Sequence, residues 1–136
     1  MQDQIRSENA LVIDEPELLN ALIKAIWTLK YDSIPDDVQE FVSSPSFAEL
    51  TNRVYDCLTA LYIEQGQIAN ARELVESRSM KKSTLQLSVL PAHVRSIQKI
   101  WDGWDTTQRS EYVRLFMTPT VVTNDDISHI IESLHS

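Results

Sequence analysis

The sequence predicts an all-α fold, a helical bundle or short right-handed stack of about six to seven antiparallel helices. Apolar residues recur at spacings of three and four along most of the chain, as in Leu19, Leu22 and Ile26, which is the period of an amphipathic helix. Prolines and acidic residues stand where such segments begin, as they do in the first turns of helices. Only 2 glycines occur in 136 residues, which disfavours a turn-rich β fold.

The length and composition fit one globular domain. Hydrophobic residues make up 43% of the chain and charged residues 24%, and a chain of this length buries enough surface to fold without a disulfide or a metal. Residues 1–13 have weak periodicity, so we expect a flexible N-terminal segment there. Residues 14–136 are expected to form a single all-helical domain, with a repeat-like hairpin at 46–77, a linker at 78–89 and C-terminal helices at 90–136.

The first helix is predicted to follow Asp14, an N-cap residue. Pro16 and the acidic residues beside it suit a first helical turn. This helix should end near Tyr31–Ser33, because Pro35 disfavours a helical conformation in the residue before it. Pro35 then opens a short helix, which Ser44-Pro45-Ser46 ends.

The next two helices are predicted to form a hairpin. Ser46 and Glu49 match a capping box, in which each side chain bonds a free amide of the first turn. The apolar stripe continues to about Gln65, and Gly66 can adopt the left-handed conformation that closes a helix. The second helix of the hairpin should end near Ser77.

Residues 78–89 are polar at first and then alternate between polar and apolar side chains. The apolar positions are Leu85, Leu87 and Val89. Alternation is typical of a strand, but no partner strand is evident. We therefore interpret this segment as an extended linker that lies on the core.

Three more helices are predicted in the last third of the chain. The first should begin at Leu90-Pro91 and end near Gly103. The second should begin with a capping pattern at Asp105 and Gln108 and end at Thr118-Pro119. The third should be capped by Thr123 or Asn124. Trp101 and Trp104 are three residues apart and share a face, so core packing is the leading interpretation. The alternative is that Trp104 projects from the turn beside Asp102 and Asp105.

The hairpin region, about residues 50–83, resembles a single tetratricopeptide repeat. Five residues at the spacings of that family carry the resemblance: Tyr55, Leu58, Tyr62, Gly66 and Ala71. The resemblance implies that the aromatic side chains fill the gap between two paired helices and that the alanine lets the second helix approach closely. No second copy is visible, and such arrays need about three repeats for stability. The whole chain is therefore either a divergent repeat-like stack or an unrelated bundle with one such hairpin.

The charge distribution excludes some classes of partner. The net charge of −8 comes from residues 1–66, which hold 12 acidic and 4 basic side chains, whereas residues 67–136 hold 8 of each. Such a chain would be repelled by nucleic acid, and the cluster of Arg78, Lys81 and Lys82 is interpreted as a solvated loop. We expect no nucleic acid and no membrane as partner.

Cysteine usage and the start of the chain bear on the compartment. Cys57 is the single cysteine, is expected to be a small buried hydrophobe, and cannot form an intramolecular disulfide. No secretory or mitochondrial signal is visible in the first residues. A cytoplasmic location is the expectation.

The residues suited to chemistry are scattered. His129 and His135 are six apart and point to different faces of one helix, so no metal site is expected. Asp102 to Asp105 resembles a fragment of a calcium loop but lacks its alternating acids. No nucleotide loop or nucleophile motif occurs, so we expect no enzyme, no catalytic residue and no cofactor.

The leading hypothesis is a non-enzymatic protein–protein interaction module, an adaptor that binds a peptide or helix in a groove between the helices at 46–65 and 67–77. The partner would be another protein, and the acidic first half favours a basic one. The alternatives are an acidic inhibitor or immunity-type protein that blocks a cationic site, and a structural subunit that forms a homodimer. The candidate partner-binding residues are Tyr55, Tyr62, Asp102, Trp104 and Asp105.

Overall fold

The computed structural model describes residues 12–135, and within that range it has eight α-helices and no strand. The helices are α1 (Pro16–Trp27), α2 (Pro35–Val42), α3 (Pro45–Glu64), α4 (Ile68–Glu76), α5 (Thr84–Ser96), α6 (Gln98–Gly103), α7 (Thr106–Met117) and α8 (Asn124–Leu134). A π-helical turn, Thr28–Asp32, follows α1, and a 3-10 turn, Met80–Lys82, precedes α5. The all-α prediction is confirmed. Most of the predicted flexible segment, 1–13, lies outside the described residues.

Two apolar clusters hold the helices together. The smaller one joins α1, α3 and α4 around Leu19, Ile26 and Leu58. The larger one joins the end of α1 to α2 and to α5–α8 around Trp101 and Phe116. Helices α1 and α3 run antiparallel, because hydrogen bonds link the start of α1 to the end of α3 and the end of α1 to the middle of α3.

The helical hairpin is formed by α3 and α4. Gly66 lies between them with a φ of +76°, the left-handed conformation expected from its position. The capping box expected at Ser46 and Glu49 is wrong. Ser44 is the N-cap, and its Oγ accepts a hydrogen bond of 3.1 Å from the Phe47 amide. Pro45 explains the shift, since its fixed φ and missing N–H suit the first helical position.

Other helix ends match or correct the prediction. The N-cap of α1 is Glu15, not Asp14, and its side chain makes no capping bond. Asp105 forms the predicted capping box with Gln108. Thr123, one of the two expected caps, forms a second box with Asp126.

The linker predicted at 78–89 is largely helical, which corrects the prediction. Helix α5 begins at Thr84, and its buried residues Gln86, Leu90, His93 and Val94 follow the helical period. Two of these four are polar, so hydropathy did not reveal the inward face. The start predicted at Leu90-Pro91 is also wrong, because Pro91 lies inside α5. A backbone break at Ile97 then separates α5 from α6, which accounts for the additional helix.

Arg78 is not part of a solvated loop. Its side chain is 19% exposed and its Nε donates to the Pro119 carbonyl at 2.9 Å. The two Nη atoms donate to Asn52 at 2.8 Å and Asp56 at 3.2 Å, both on α3. The Arg78 carbonyl accepts a bond from the Val121 amide. Arg78 therefore ties the end of the hairpin to the loop after α7.

Cys57 is exposed, contrary to the expectation that it is buried. The inner face of α3 is centred on Leu58, which is 0% exposed. Each helical residue is rotated by about 100° from the next, so Cys57 lies beside the inner face and not within it.

A buried lysine donates hydrogen bonds to the backbone carbonyls at the end of α7. The Leu115 carbonyl would normally bond the amide four residues later, but Pro119 has no N–H. The Nζ of Lys30 takes that place at 3.0 Å and also donates to the Thr118 carbonyl at 2.7 Å. Lys30 is 1% exposed, and burial lowers its pKa to about 7.

The neighbouring carbonyls of α7 are bonded in the same way. The Tyr31 hydroxyl donates to the Phe116 and Thr118 carbonyls, and burial raises the pKa of that hydroxyl. The Nε2 of Gln86 donates to the Met117 carbonyl at 2.9 Å. Three buried side chains from α5 and the π-helical turn thus bond the last four carbonyls before Pro119. These polar groups are structural.

Candidate functional site

A groove runs beside α3, between α1 and α4. It consists of two clefts of about 490 and 290 Å³ that share Glu73 of α4 and Ser77, the residue that follows α4. The larger cleft is completed by Trp27, Glu76 and Lys82, and the smaller by Asn20, Tyr62, Asn70 and Leu74. We call this continuous surface the α1–α4 groove. Its walls belong to helices that are separate in sequence, and α3 joins them.

The smaller cleft contains one of the predicted site residues. Tyr62 is half-buried, and its hydroxyl accepts a hydrogen bond of 2.9 Å from the Asn20 amide group. Asn70, on the opposite wall, is exposed. The cleft therefore combines an aromatic surface with amide groups that can bond a peptide backbone.

The larger cleft has an aromatic wall held in a fixed orientation. The Nε1 of Trp27 donates to the Tyr55 hydroxyl at 2.7 Å, and the Trp27 and Tyr31 ring centroids are 4.8 Å apart. The indole is half-buried and lines the cleft, and its N–H is already bonded, so a ligand there can contact only the part of the ring that remains exposed. Aromatic faces attract cations and apolar groups.

Tyr55 supports the groove from beneath. Only 3% of it is exposed, so the expectation that it contacts a partner is corrected. The Arg78 guanidinium lies 5.4 Å from its ring centroid. Burial raises the pKa of the Tyr55 hydroxyl, which therefore keeps its proton at neutral pH and accepts the bond from Trp27 through its oxygen.

The acidic side chains of the groove lack cationic partners. Within residues 12–135 the ion pairs are Arg53–Glu49, Arg78–Asp56 and Arg114–Glu111. Glu73 and Glu76 are exposed and belong to none of these pairs. They are three residues apart on α4, so both carboxylates lie on the same side of the helix.

The three remaining predicted site residues lie together at the α6–α7 turn, away from both clefts. Trp104 is half-buried, with its ring centroid 6.1 Å from Trp101 and 5.7 Å from Tyr112. The carboxylate of Asp105 accepts the Gln108 amide as a helix cap. That of Asp102 accepts a bond from Gln98 at 2.8 Å. These contacts explain the three residues as packing and capping groups.

Another cleft of about 490 Å³ is lined by residues of α3, by Val75 of α4 and by the loops after α4 and α7. Its apolar lining includes Ile63, Val75 and Val121, which are 55%, 57% and 66% exposed. Its polar lining includes Asp56 and Arg78, which form an ion pair with each other. No net charge remains in that pair to select a partner.

Of the residues that line the α1–α4 groove, Tyr62 alone belongs to the predicted site, and Trp27, Glu73 and Glu76 are among those that the prediction missed. Trp27 directly follows Ile26 of the apolar stripe of α1, and the sequence pattern alone cannot show that its ring also lines a surface cleft. The spacing of Glu73 and Glu76 was a usable sign of a shared face. Their position opposite Trp27 depends on how α1 packs on α3.

Searches for chemical sites within residues 12–135 give few candidates. No group of three or more potential metal ligands is found there. His93 is 1% exposed and packs edge-on against Phe116. Burial, followed by the positive charge of Lys30, lowers the pKa of His93. Over the same range, every helix is too short or too polar to cross a bilayer.

No family model matches this chain, and the searches of curated proteins and of solved structures give no match either.

Proposed function

We propose that this protein is a non-enzymatic protein-interaction module that binds a peptide or helix in the α1–α4 groove. The observation that carries the proposal is the continuity of the two clefts, which together line a surface from Asn20 and Tyr62 to Trp27 and Lys82. Ligand grooves of this kind combine aromatic walls with a few polar groups that fix orientation. Tyr62, Leu74 and Trp27 supply the apolar surface here.

The preferred partner is a basic segment of another protein. The chain has a net charge of −8, and two of its carboxylates lie in the groove and have no ion-pair partner. Opposite charges accelerate association and select partners, even where they add little affinity. We also propose that the α3–α4 hairpin is a single divergent repeat of the tetratricopeptide kind and that the module works in the cytoplasm.

The proposal is tested by selecting binders from a library of random displayed peptides. Affinities of the selected peptides are then measured for three proteins: the wild type, Glu73→Arg in the groove, and Glu40→Arg on α2. Both substitutions change the charge by the same amount at an exposed glutamate, and circular dichroism checks that both variants fold. We expect the groove variant alone to lose binding, by about tenfold or more for a disrupted central contact.

Two results would refute the proposal. One is a selection that yields no specific peptide. The other is a set of peptides that bind the wild type and Glu73→Arg equally well. The second result would direct attention to the cleft lined by Ile63, Val75 and Val121.

A further inference from the structure

We infer that the Trp27 end of the α1–α4 groove holds one cationic side chain of the bound segment, and that arginine is preferred there. This inference rests on the proposed function and specifies its ligand. The cleft joins an oriented indole ring to two carboxylates without ion-pair partners. A planar guanidinium can stack on an aromatic face while its N–H groups bond a carboxylate.

The orientation of Trp27 determines which part of it a ligand can use. Its N–H donates to the Tyr55 hydroxyl, so the indole has no donor to offer an anion or a carbonyl. Its ring face remains, and an aromatic ring face carries partial negative charge. A cation is therefore the complementary group.

The charges in the cleft match a single monovalent cation. Glu73 and Glu76 contribute two negative charges, and Lys82, which also lines the cleft, contributes one positive charge. The net charge of the cleft is therefore −1, which one guanidinium neutralises. Lys82 also opposes a second cation, so the site should distinguish one arginine from a run of basic residues.

The inference is tested by NMR on the full chain with two small probes. N-acetyl-arginine amide carries the guanidinium, and N-acetyl-citrulline amide has nearly the same shape without the charge. The indole N–H resonance of Trp27 is assigned by its absence in Trp27→Phe. We expect the arginine probe to shift this resonance and the amides of residues 73–77, with an apparent affinity about tenfold higher than that of citrulline.

Variants of the exposed charges refine the test. Glu73→Gln combined with Glu76→Gln should weaken the arginine probe about tenfold, while Lys82→Gln should strengthen it about threefold. Glu40→Gln on α2 is the matched control and should change nothing. N-acetyl-lysine amide should bind more weakly than the arginine probe, because an ammonium cannot stack on the ring.

Two results would overturn the inference: equal shifts from arginine and citrulline, or shifts from arginine that leave the Trp27 resonance unmoved. The proposed function fails separately. If selected peptides lose binding with Glu73→Arg but tolerate citrulline in place of each arginine, the groove binds peptides and the cation site is wrong. If the arginine probe binds at Trp27 but no peptide responds to Glu73→Arg, the cation site stands and the peptide groove is wrong.

Discussion

Replacement of Lys30 by methionine should abolish a rise in stability between pH 7 and pH 9. Burial lowers the pKa of Lys30 from 10.5 to about 7 in the folded protein. The unfolded chain keeps this proton until about pH 10. Across the interval the unfolded state therefore binds more protons than the folded state, so the free energy of unfolding rises with pH.

The size of this rise follows from the two pKa values. About half of the folded molecules carry the Lys30 proton at pH 7, and about 1% carry it at pH 9, whereas nearly all unfolded molecules do. The difference in bound protons between the unfolded and folded states, integrated from pH 7 to pH 9, is about 1.7. One proton over one pH unit corresponds to about 1.36 kcal/mol, so the free energy of unfolding rises by about 2 kcal/mol. The lowered pKa of His93 places its own titration below this interval.

The assay is urea unfolding of the wild type and Lys30→Met at pH 7, 8 and 9, with the free energies obtained by linear extrapolation. Methionine keeps an unbranched chain and removes the ionisable group. The comparison uses the slope with pH, because the variant also leaves the Leu115 carbonyl without its donor. A flat wild-type profile, or an equal rise in the variant, would show that Lys30 stays protonated inside the fold.

Three further substitutions test individual contacts by the same unfolding assay. Tyr31→Phe removes the donor to the Phe116 carbonyl and should cost about 1–3 kcal/mol, whereas no loss would mean that water or another group replaces it. Gly66→Ala places a side chain at a φ of +76° and should cost about 1 kcal/mol, even though the surrounding space is open. Leu58→Ala, at a site that is 0% exposed, should cost about 2–5 kcal/mol, and Leu50→Ala, 44% exposed, less than about 1 kcal/mol.

Local sequence rules predicted the fold well where a single residue decides the conformation. Pro35 opens α2, Gly66 closes α3, and Asp105 caps α7, as expected. In each case the cause lies within a few residues: a fixed φ, a tolerated left-handed φ, or a carboxylate beside free amides. Such causes need no knowledge of the tertiary structure.

The prediction failed where burial is determined by hydrogen bonds over long sequence distances. Gln86 and Lys30 are buried because the carbonyls at the end of α7 need donors, and those carbonyls lie 31 residues from Gln86 and 85 residues from Lys30 in sequence. Hydropathy assigns both residues to the surface, and for Gln86 this assignment hid the inward face of α5. Lys30 follows Ile26 by four residues on the apolar stripe of α1, and that spacing was the one available clue.

The candidate site was predicted in part. Tyr62 lies in the groove and Tyr55 beneath it, both within the hairpin that the sequence indicated. The opposite wall comes from α1, whose packing against α3 no local pattern specifies. The turn with Trp104 was a candidate partner-binding site because exposed tryptophans are common at interfaces. The Trp104 ring is half-buried and packs against Trp101 and Tyr112.

The groove is rigid at its Trp27 end because the folded core already orders it. Trp27 is bonded to Tyr55, which lies beside the guanidinium of Arg78, and Arg78 is bonded to α3 and to the loop after α7. Ordering an aromatic side chain on binding costs free energy. The Trp27 ring is already ordered in the folded protein, so binding should not incur that cost. Glu73 and Glu76 are exposed and belong to none of the ion pairs of residues 12–135. The ring should therefore fix where a cationic side chain docks, and the carboxylates should adapt to its shape.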